Sequence, residues 1–380
     1  MKDDVVIAGA GPAGSLAALL LARRGARVTI VDRARFPRSK LCGDTLNPGA
    51  VALLARHVPL DDLAAASLAI DGMRLTGPRQ TEVRGAYGAG VHGLSVTRQV
   101  FDGWLLERAV AAGARLLEDT TVIGPTVDRR GIVVGVLIRR ASGLATEHQA
   151  HVTIGADGRR SRLAMGRLSR LAPSPRRWAI GGYYDSVDGL DRMGEMHIRA
   201  GHYVGVAPVP GGLANACLVR PLARGEPWPD PGAVLDRYVT TDPLLGPRFR
   251  SARRVTPARV LGPMAVETPV PGCAGLLLAG DAAGFIDPMT GDGIRLALSG
   301  AELAAAVTAD VLDGRTSLDR AALCLAAGTR RSLGGKRRFN RILRRVVASP
   351  RLVGGATVAA RIWPSAFAAL IRHAGDCGTL

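Results

Sequence analysis

Lys2-Asp3-Asp4-Val5-Val6-Ile7-Ala8 runs into Gly9-Ala10-Gly11-Pro12-Ala13-Gly14, and an Ala/Leu-rich stretch from Ser15 to Arg24 follows. A second apolar run, Arg27-Val28-Thr29-Ile30-Val31, closes on Asp32. The order is strand, glycine turn, helix, strand, acid, which is the context a dinucleotide-binding GxGxxG requires. Gly9 permits the tight turn. Gly11 has no side chain to hold a pyrophosphate off the backbone. Gly14 lets the helix lie close to the strand. The helix start presents free N–H groups and a positive dipole end to phosphate. Asp32 is placed to accept a hydrogen bond from a ribose hydroxyl. Residues Val5 to Ala22 are uncharged, but the Gly-Pro break and the acids ahead of them favour this unit over a signal peptide or membrane span.

A second motif separates a flavin from a nicotinamide. Leu276-Leu277-Leu278-Ala279-Gly280-Asp281-Ala282-Ala283-Gly284 reads as a buried strand ending in Gly-Asp. Gly291-Asp292-Gly293-Ile294 then opens a long Ala/Leu helix reaching about Val311. Asp281 can hold ribityl hydroxyls, and the glycine-rich helix start can offer N–H groups to a flavin pyrimidine or a phosphate. The pair of motifs points to FAD.

With these residues in view the chain resembles the FAD-dependent monooxygenases of the para-hydroxybenzoate hydroxylase type. It is most similar to their geranylgeranyl reductase and flavin-dependent halogenase-like relatives. Four segments carry the resemblance: the N-terminal fingerprint, Gly155-Ala156-Asp157-Gly158-Arg159-Arg160-Ser161, Gly280-Asp281-Ala282-Ala283-Gly284, and Phe36-Pro37-Arg38-Ser39-Lys40-Leu41-Cys42-Gly43-Asp44. The Lys-x-Cys-Gly of the last segment is similar to the reductase branch. The resemblance implies that Lys40, Cys42 and Gly43 lie near the flavin ring and that Pro288 sits close to the isoalloxazine. It also implies that Arg98 and Gln99 adjoin the FAD and that Asp157 serves cofactor contact. Val122 is a further candidate for the cofactor site.

The implied fold is α/β: a Rossmann-like FAD-binding domain, an inserted β-sheet substrate domain and a helical C-terminal region. We expect residues 1–70, 95–175 and 265–315 in the first, 71–94 and 176–264 in the second, and 316–380 in the third. A chain of 380 residues with 47% hydrophobic and 22% charged residues can bury a large core. The five cysteines are scattered and form no CxxC pair, so no zinc site or disulfide framework is suggested and a reducing cytoplasm is the expected location. His92, His197 and His202 lack metal-ligand spacing.

In the middle of the chain, Gly194–Arg199 and His202–Ala207 read as a hairpin turning at Ala200-Gly201, with another strand from Leu213 to Arg220. Alternation puts Tyr203, Gly205 and Ala207 on one face, making Tyr203 a candidate substrate contact. Reductases and halogenases of the resembled family carry bulky aromatic or aliphatic residues where Gly205 and Ala207 stand, so a wider or reshaped pocket is expected.

The net charge is +18, almost all of it arginine. Between Arg330 and His373 there is no acidic residue, and Phe339, Ile342, Leu343, Val346 and Val347 interleave with arginines at helical spacing. This is a basic amphipathic helix, suited to an anionic membrane surface or an acidic carrier protein. Aromatics are only 4% and no nucleic-acid motif is present, so nucleic acid is not an expected partner.

The sequence therefore leads to an FAD-dependent oxidoreductase acting on a hydrophobic small molecule. The first expectation is a monooxygenase hydroxylating an aromatic or polyketide-like substrate through a flavin hydroperoxide. The alternatives are saturation of isoprenoid double bonds, as in geranylgeranyl reductases, and halogenase-like chemistry. Lys40, Cys42 and Tyr203 are the candidate catalytic residues. No second GxGxxG appears, so electrons come either from NAD(P)H visiting the FAD site or from an external flavin reductant.

Overall fold

The computed structural model describes residues 2–78, 81–140, 143–172, 176–222, 230–285, 289, 291–349, 352–355, 359 and 362–377. Two large sheets organise the chain. The first has a parallel core whose strands lie in the order Leu276–Leu278, Ala145–Gly155, Asp3–Ala8, Val28–Val31 and Arg115–Leu117. Val28–Val31 is buried along its whole length, as expected of a strand covered on both faces. The register levels the carboxyl ends of three strands: Ala8 pairs with Gly155 and Val31, and Gly155 pairs with Leu278. Gly9, Ala156-Asp157 and Ala279-Gly280-Asp281 therefore emerge along one edge, where open α/β sheets bind ligands.

The fingerprint helix, Pro12–Ala22, starts on that edge and is buried over nearly its full length. The helix Gly293–Leu312 packs against it through Ala301, Ala304 and Ala305, facing Leu16, Ala17 and Ala18 in one apolar cluster. Small residues let the two helices approach closely.

The second sheet runs in the order Arg253–Arg254, Arg177–Asp185, Leu213–Pro221, His202–Val209, Met193–Arg199, Gly72–Thr76 and Glu82–Ala86, with Arg259–Leu261 also pairing to Arg177–Asp185. Segments 72–86 and 177–261, distant in sequence, thus share one sheet. The hairpin turns at Ala200-Gly201, with Gly201 at positive φ. Period-two alternation gives this sheet two apolar faces. Val204, Val206, Ala216 and Leu218 meet Val234, Leu235 and Val239 of the helix Pro231–Thr241. Ala179, Met196 and Val219 point the other way, toward the first sheet.

The C-terminal part is helical, with Leu318–Ala348 and Pro364–Ala374 as its principal elements. Lys336 ties it to the rest of the protein. Its Nζ reaches Asp292 at 3.2 Å and Asp376 at 3.0 Å and donates to the carbonyls of His373 and Ala374. Asn47 joins the knot by donating to Asp292 Oδ1 at 2.9 Å. Asp292 immediately precedes the helix Gly293–Leu312, so the tail is fastened to a helix start that also borders the cavity described next.

Candidate active site

One cavity lies between the two sheets. Its floor is built from Gly11, Pro12 and Ala13 on one side and Gly280, Asp281, Gly291 and Gly293 on the other. Lys40, Leu41, Cys42 and Gly43 form a wall with Arg98. The roof is apolar: Met73, Met196, Met264, Met289, Leu261 and Phe285. Methionines with glycines beside them make an adaptable, hydrophobic chamber.

The floor fits FAD. A Cβ at Gly9, whose φ is +98°, would stand 2.5 Å from the Ala156 carbonyl oxygen, and one at Gly14 would overlap the Gly9 carbonyl oxygen. These two glycines are demanded by chain packing. Gly11 differs: its φ is −76°, and the nearest atom to its missing Cβ is an Arg38 guanidinium nitrogen at 3.5 Å. The opening there is room for a ligand, with a cation across from it. The N–H groups of Ala13 and Gly14 lie in the first turn, where the helix leaves them without an internal acceptor. Asp32 closes the turn, its carboxylate accepting from Ala10 N–H at 2.7 Å and Ala34 N–H at 2.8 Å. It remains half-buried at the end of its strand. Asp281 borders the cavity, and no described residue donates a hydrogen bond to its carboxylate, which leaves it open to ligand hydroxyls.

Arg98 and Arg38 share one counter-ion. Asp102, fully buried, accepts from Arg98 Nε at 2.7 Å and Arg98 Nη2 at 2.8 Å, and Arg38 Nη1 stands 3.0 Å away. Burial opposes the Arg98 charge, but Asp102 more than offsets it and its pKa is raised. Cys42 has the opposite balance. Burial pushes its thiol up, and the Arg98 guanidinium, which reaches the sulfur, only partly counters this. Cys42 therefore keeps its proton at neutral pH. Lys40 is pulled down from the usual lysine range, first by burial and then by Arg98.

A polar group that sequence reasoning missed lies behind Cys42. Asp44, almost completely buried and at a φ of +54°, accepts from the Tyr183 hydroxyl at 2.5 Å and from Asn215 Nδ2 at 2.6 Å. Its second oxygen takes the Arg98 N–H at 3.2 Å. Tyr183 and Asn215 are directly paired across adjacent strands, which aims both at one carboxylate. Asn215 also donates to the Cys42 carbonyl at 2.8 Å, fixing the loop that carries the thiol. Burial raises the Asp44 carboxyl to about 6 despite these donors. Asp44 therefore binds protons more tightly folded than unfolded. Its effect on stability should worsen as pH rises from about 4 to about 6, by about 3 kcal/mol. Urea unfolding across that range should show Asp44→Asn losing this pH dependence; parallel stability curves for the two proteins would contradict it.

The remaining candidates fall as follows. Asp157 lies beside Gly9, its Oδ2 accepting from Arg162 N–H at 2.7 Å and its Oδ1 buried with no hydrogen-bond partner among the described residues. Val122 packs in the apolar cluster behind the parallel sheet. Ile294 lines the cavity. Pro288 lies outside the described residues. Tyr203 shares the face of Gly205 and Ala207, but it packs at the strand's start with Ile198, Val219 and Val353 and does not line the cavity. Gln99 is exposed: one helical step beyond buried Arg98, it turns to solvent. Gly205 does line the cavity, and a Cβ there would meet nothing closer than 3.8 Å, so the small residue does widen the chamber.

Residues 2–168 match the FAD binding domain family. Digeranylgeranylglycerophospholipid reductase 2 of Methanopyrus kandleri is 31% identical over 325 residues, covering 82% of this chain and 78% of the relative. The chain belongs to the geranylgeranyl reductase family of FAD-dependent oxidoreductases. Menaquinone reductase of Mycobacterium tuberculosis is 33% identical over 343 residues, covering 82% of this chain and 77% of that protein. Among solved structures, the myxobacterial chondrochloren halogenase superposes with a TM-score of 0.81 at 25% identity, covering 90% and 82% of the two chains. A geranylgeranyl bacteriochlorophyll reductase-like protein of Thermoplasma acidophilum shares the fold, with a TM-score of 0.77 at 21% identity over 93% and 89%. The flavin site of this family member binds FAD, for which the floor residues supply the cradle.

Proposed function

We propose that this family member is a reductase that saturates carbon–carbon double bonds of a prenylated lipid. This replaces hydroxylation, which the fingerprints alone put first. The observation that carries the reading is the placement of the Cys42 thiol, with Arg98 beside it, in the wall of a chamber roofed by methionines. The names of the relatives, reductases of menaquinone and of a digeranylgeranyl lipid, support the same substrate class.

Saturating an isolated alkene takes a hydride at one carbon and a proton at the other. Reduced FAD, when bound, supplies the hydride equivalent, its electrons coming from NAD(P)H or an external reductant. The apolar roof holds the prenyl chain and excludes water. Cys42 gives its proton to the second carbon, and the thiolate left behind faces the Arg98 guanidinium, which stabilises it. Water restores the proton when product leaves. Asp44, Tyr183 and Asn215 hold the Cys42 loop in position.

The test is anaerobic turnover with dithionite as reductant and menaquinone or a geranylgeranyl lipid as probe. The prenyl chain of the product, analysed after reoxidation of any quinone ring, should gain two hydrogens per event. Cys42→Ala should keep its flavin and slow turnover by roughly a hundredfold or more, the usual worth of a positioned proton donor. A product that forms only with oxygen and carries an added oxygen or halogen would overturn the proposal.

A further inference from the structure

The helix Leu318–Ala348 has one buried and one exposed face. Leu333, Lys336 and Asn340 are buried, and the Lys336 knot fixes the helix's rotation about its axis. Arg331, Arg338, Arg341 and Arg345 follow at steps of seven, three and four, so they fall on the opposite side, exposed. None of these four pairs with a carboxylate among the described residues. Ile342 sits in the same stripe and is 51% exposed.

Large apolar side chains are also exposed beyond the helix. Leu352 is 53% exposed, Ile362 62% and Trp363 63%. Val353, next to Leu352, is buried against the cluster that holds Met264 and Met289 of the cavity roof. Leu352 thus neighbours a residue packed under the cavity roof. No described helix is long and apolar enough to cross a membrane.

We infer that this arginine stripe, with Ile342, Leu352, Ile362 and Trp363, docks the protein on the surface of an anionic lipid bilayer. Unpaired arginines match phosphate headgroups, and tryptophan with aliphatic neighbours suits the boundary between headgroups and acyl chains. An acidic protein would satisfy the arginines but would leave large apolar side chains outside any groove. The inference stands on this surface and is independent of the reaction proposed above.

The test is sedimentation of the full flavin-loaded chain with phosphatidylcholine vesicles, with and without phosphatidylglycerol. Binding should require phosphatidylglycerol, weaken with salt and shift tryptophan emission to the blue. Reversing Arg338, Arg341 and Arg345 to Glu should weaken binding by on the order of a hundredfold or more, with flavin content and melting temperature retained. Trp363→Ser should weaken binding and diminish the emission shift. Equal binding to neutral vesicles, no binding to either, or binding unchanged by the charge reversal would overturn the inference. So would a charge-dependent association indifferent to Trp363→Ser, which would leave the exposed apolar residues with no part in docking.

Discussion

Gly11→Val should fold normally and fail to hold FAD, whereas Gly14→Ala should fail to fold. Both glycines belong to one motif, but the structure gives them different work. At Gly11 the backbone is in an ordinary conformation and a new Cβ finds only an Arg38 nitrogen at 3.5 Å. The free protein can accept a side chain there. The ligand cannot, because the added bulk occupies the approach of the pyrophosphate to the backbone. At Gly14 a Cβ would overlap the Gly9 carbonyl oxygen and stand 3.0 Å from its carbon, with Ile7 behind. That overlap involves backbone on both sides and cannot be relieved by a rotamer change. Flavin absorbance per chain, together with a thermal melt, separates the two outcomes. Gly11→Val carrying a full complement of FAD would contradict the placement of the pyrophosphate.

Asp102→Ala should be the most damaging single change outside the glycine turn. The substitution strips the carboxylate shared by Arg98 and Arg38 and leaves a buried guanidinium unpaired. Breaking a buried pair from one side costs about 3–5 kcal/mol, because the remaining charge stays desolvated. A loss of that size is a large part of the stability of a typical domain. The effect should reach the chemistry as well, since Arg98 lines the cavity beside Cys42 and Arg38 faces Gly11. Urea unfolding should show the destabilisation, and flavin content should fall with it. A change within about 0.5 kcal/mol, the range of an ordinary surface substitution, would show that the pair is not buried as described.

How far the sequence foretold this molecule depended on whether the signal was local. The glycine turn, its two flanking strands and Asp32 are contiguous, and each residue type has a single steric or hydrogen-bonding reason to be there. The strand ending at Leu278 with Asp281 beyond it was equally legible, as was the hairpin at Ala200-Gly201. Asp44 was not. Its partners Tyr183 and Asn215 stand 139 and 171 residues away, and their convergence follows from the register of the second sheet. The one available signal was an acid directly following Lys-x-Cys-Gly. Arg38 was hidden in the same way: only the folded loop brings it against Gly11.

Tyr203 illustrates a different limit. Alternation assigned its face correctly, but the cavity begins two residues further along the strand, at Gly205. Periodicity fixes which way a side chain points and says nothing about where along a strand a cavity starts. The Arg98–Asp102 pair lies between the two cases. The i, i+4 spacing made it available to both residues, but only burial turns it into the electrostatic centre of the site.

The central claim is that electrons pass from FAD in this cavity to a prenyl double bond. The most direct measurement is to reduce the flavin-loaded protein anaerobically, mix it rapidly with a geranylgeranyl lipid that carries no quinone ring, and follow flavin absorbance with oxygen still excluded. The account predicts return of the oxidised flavin spectrum at a rate that rises with lipid concentration, with saturated lipid formed in step. Flavin that stays reduced beside the lipid and reoxidises only when oxygen is admitted would contradict it.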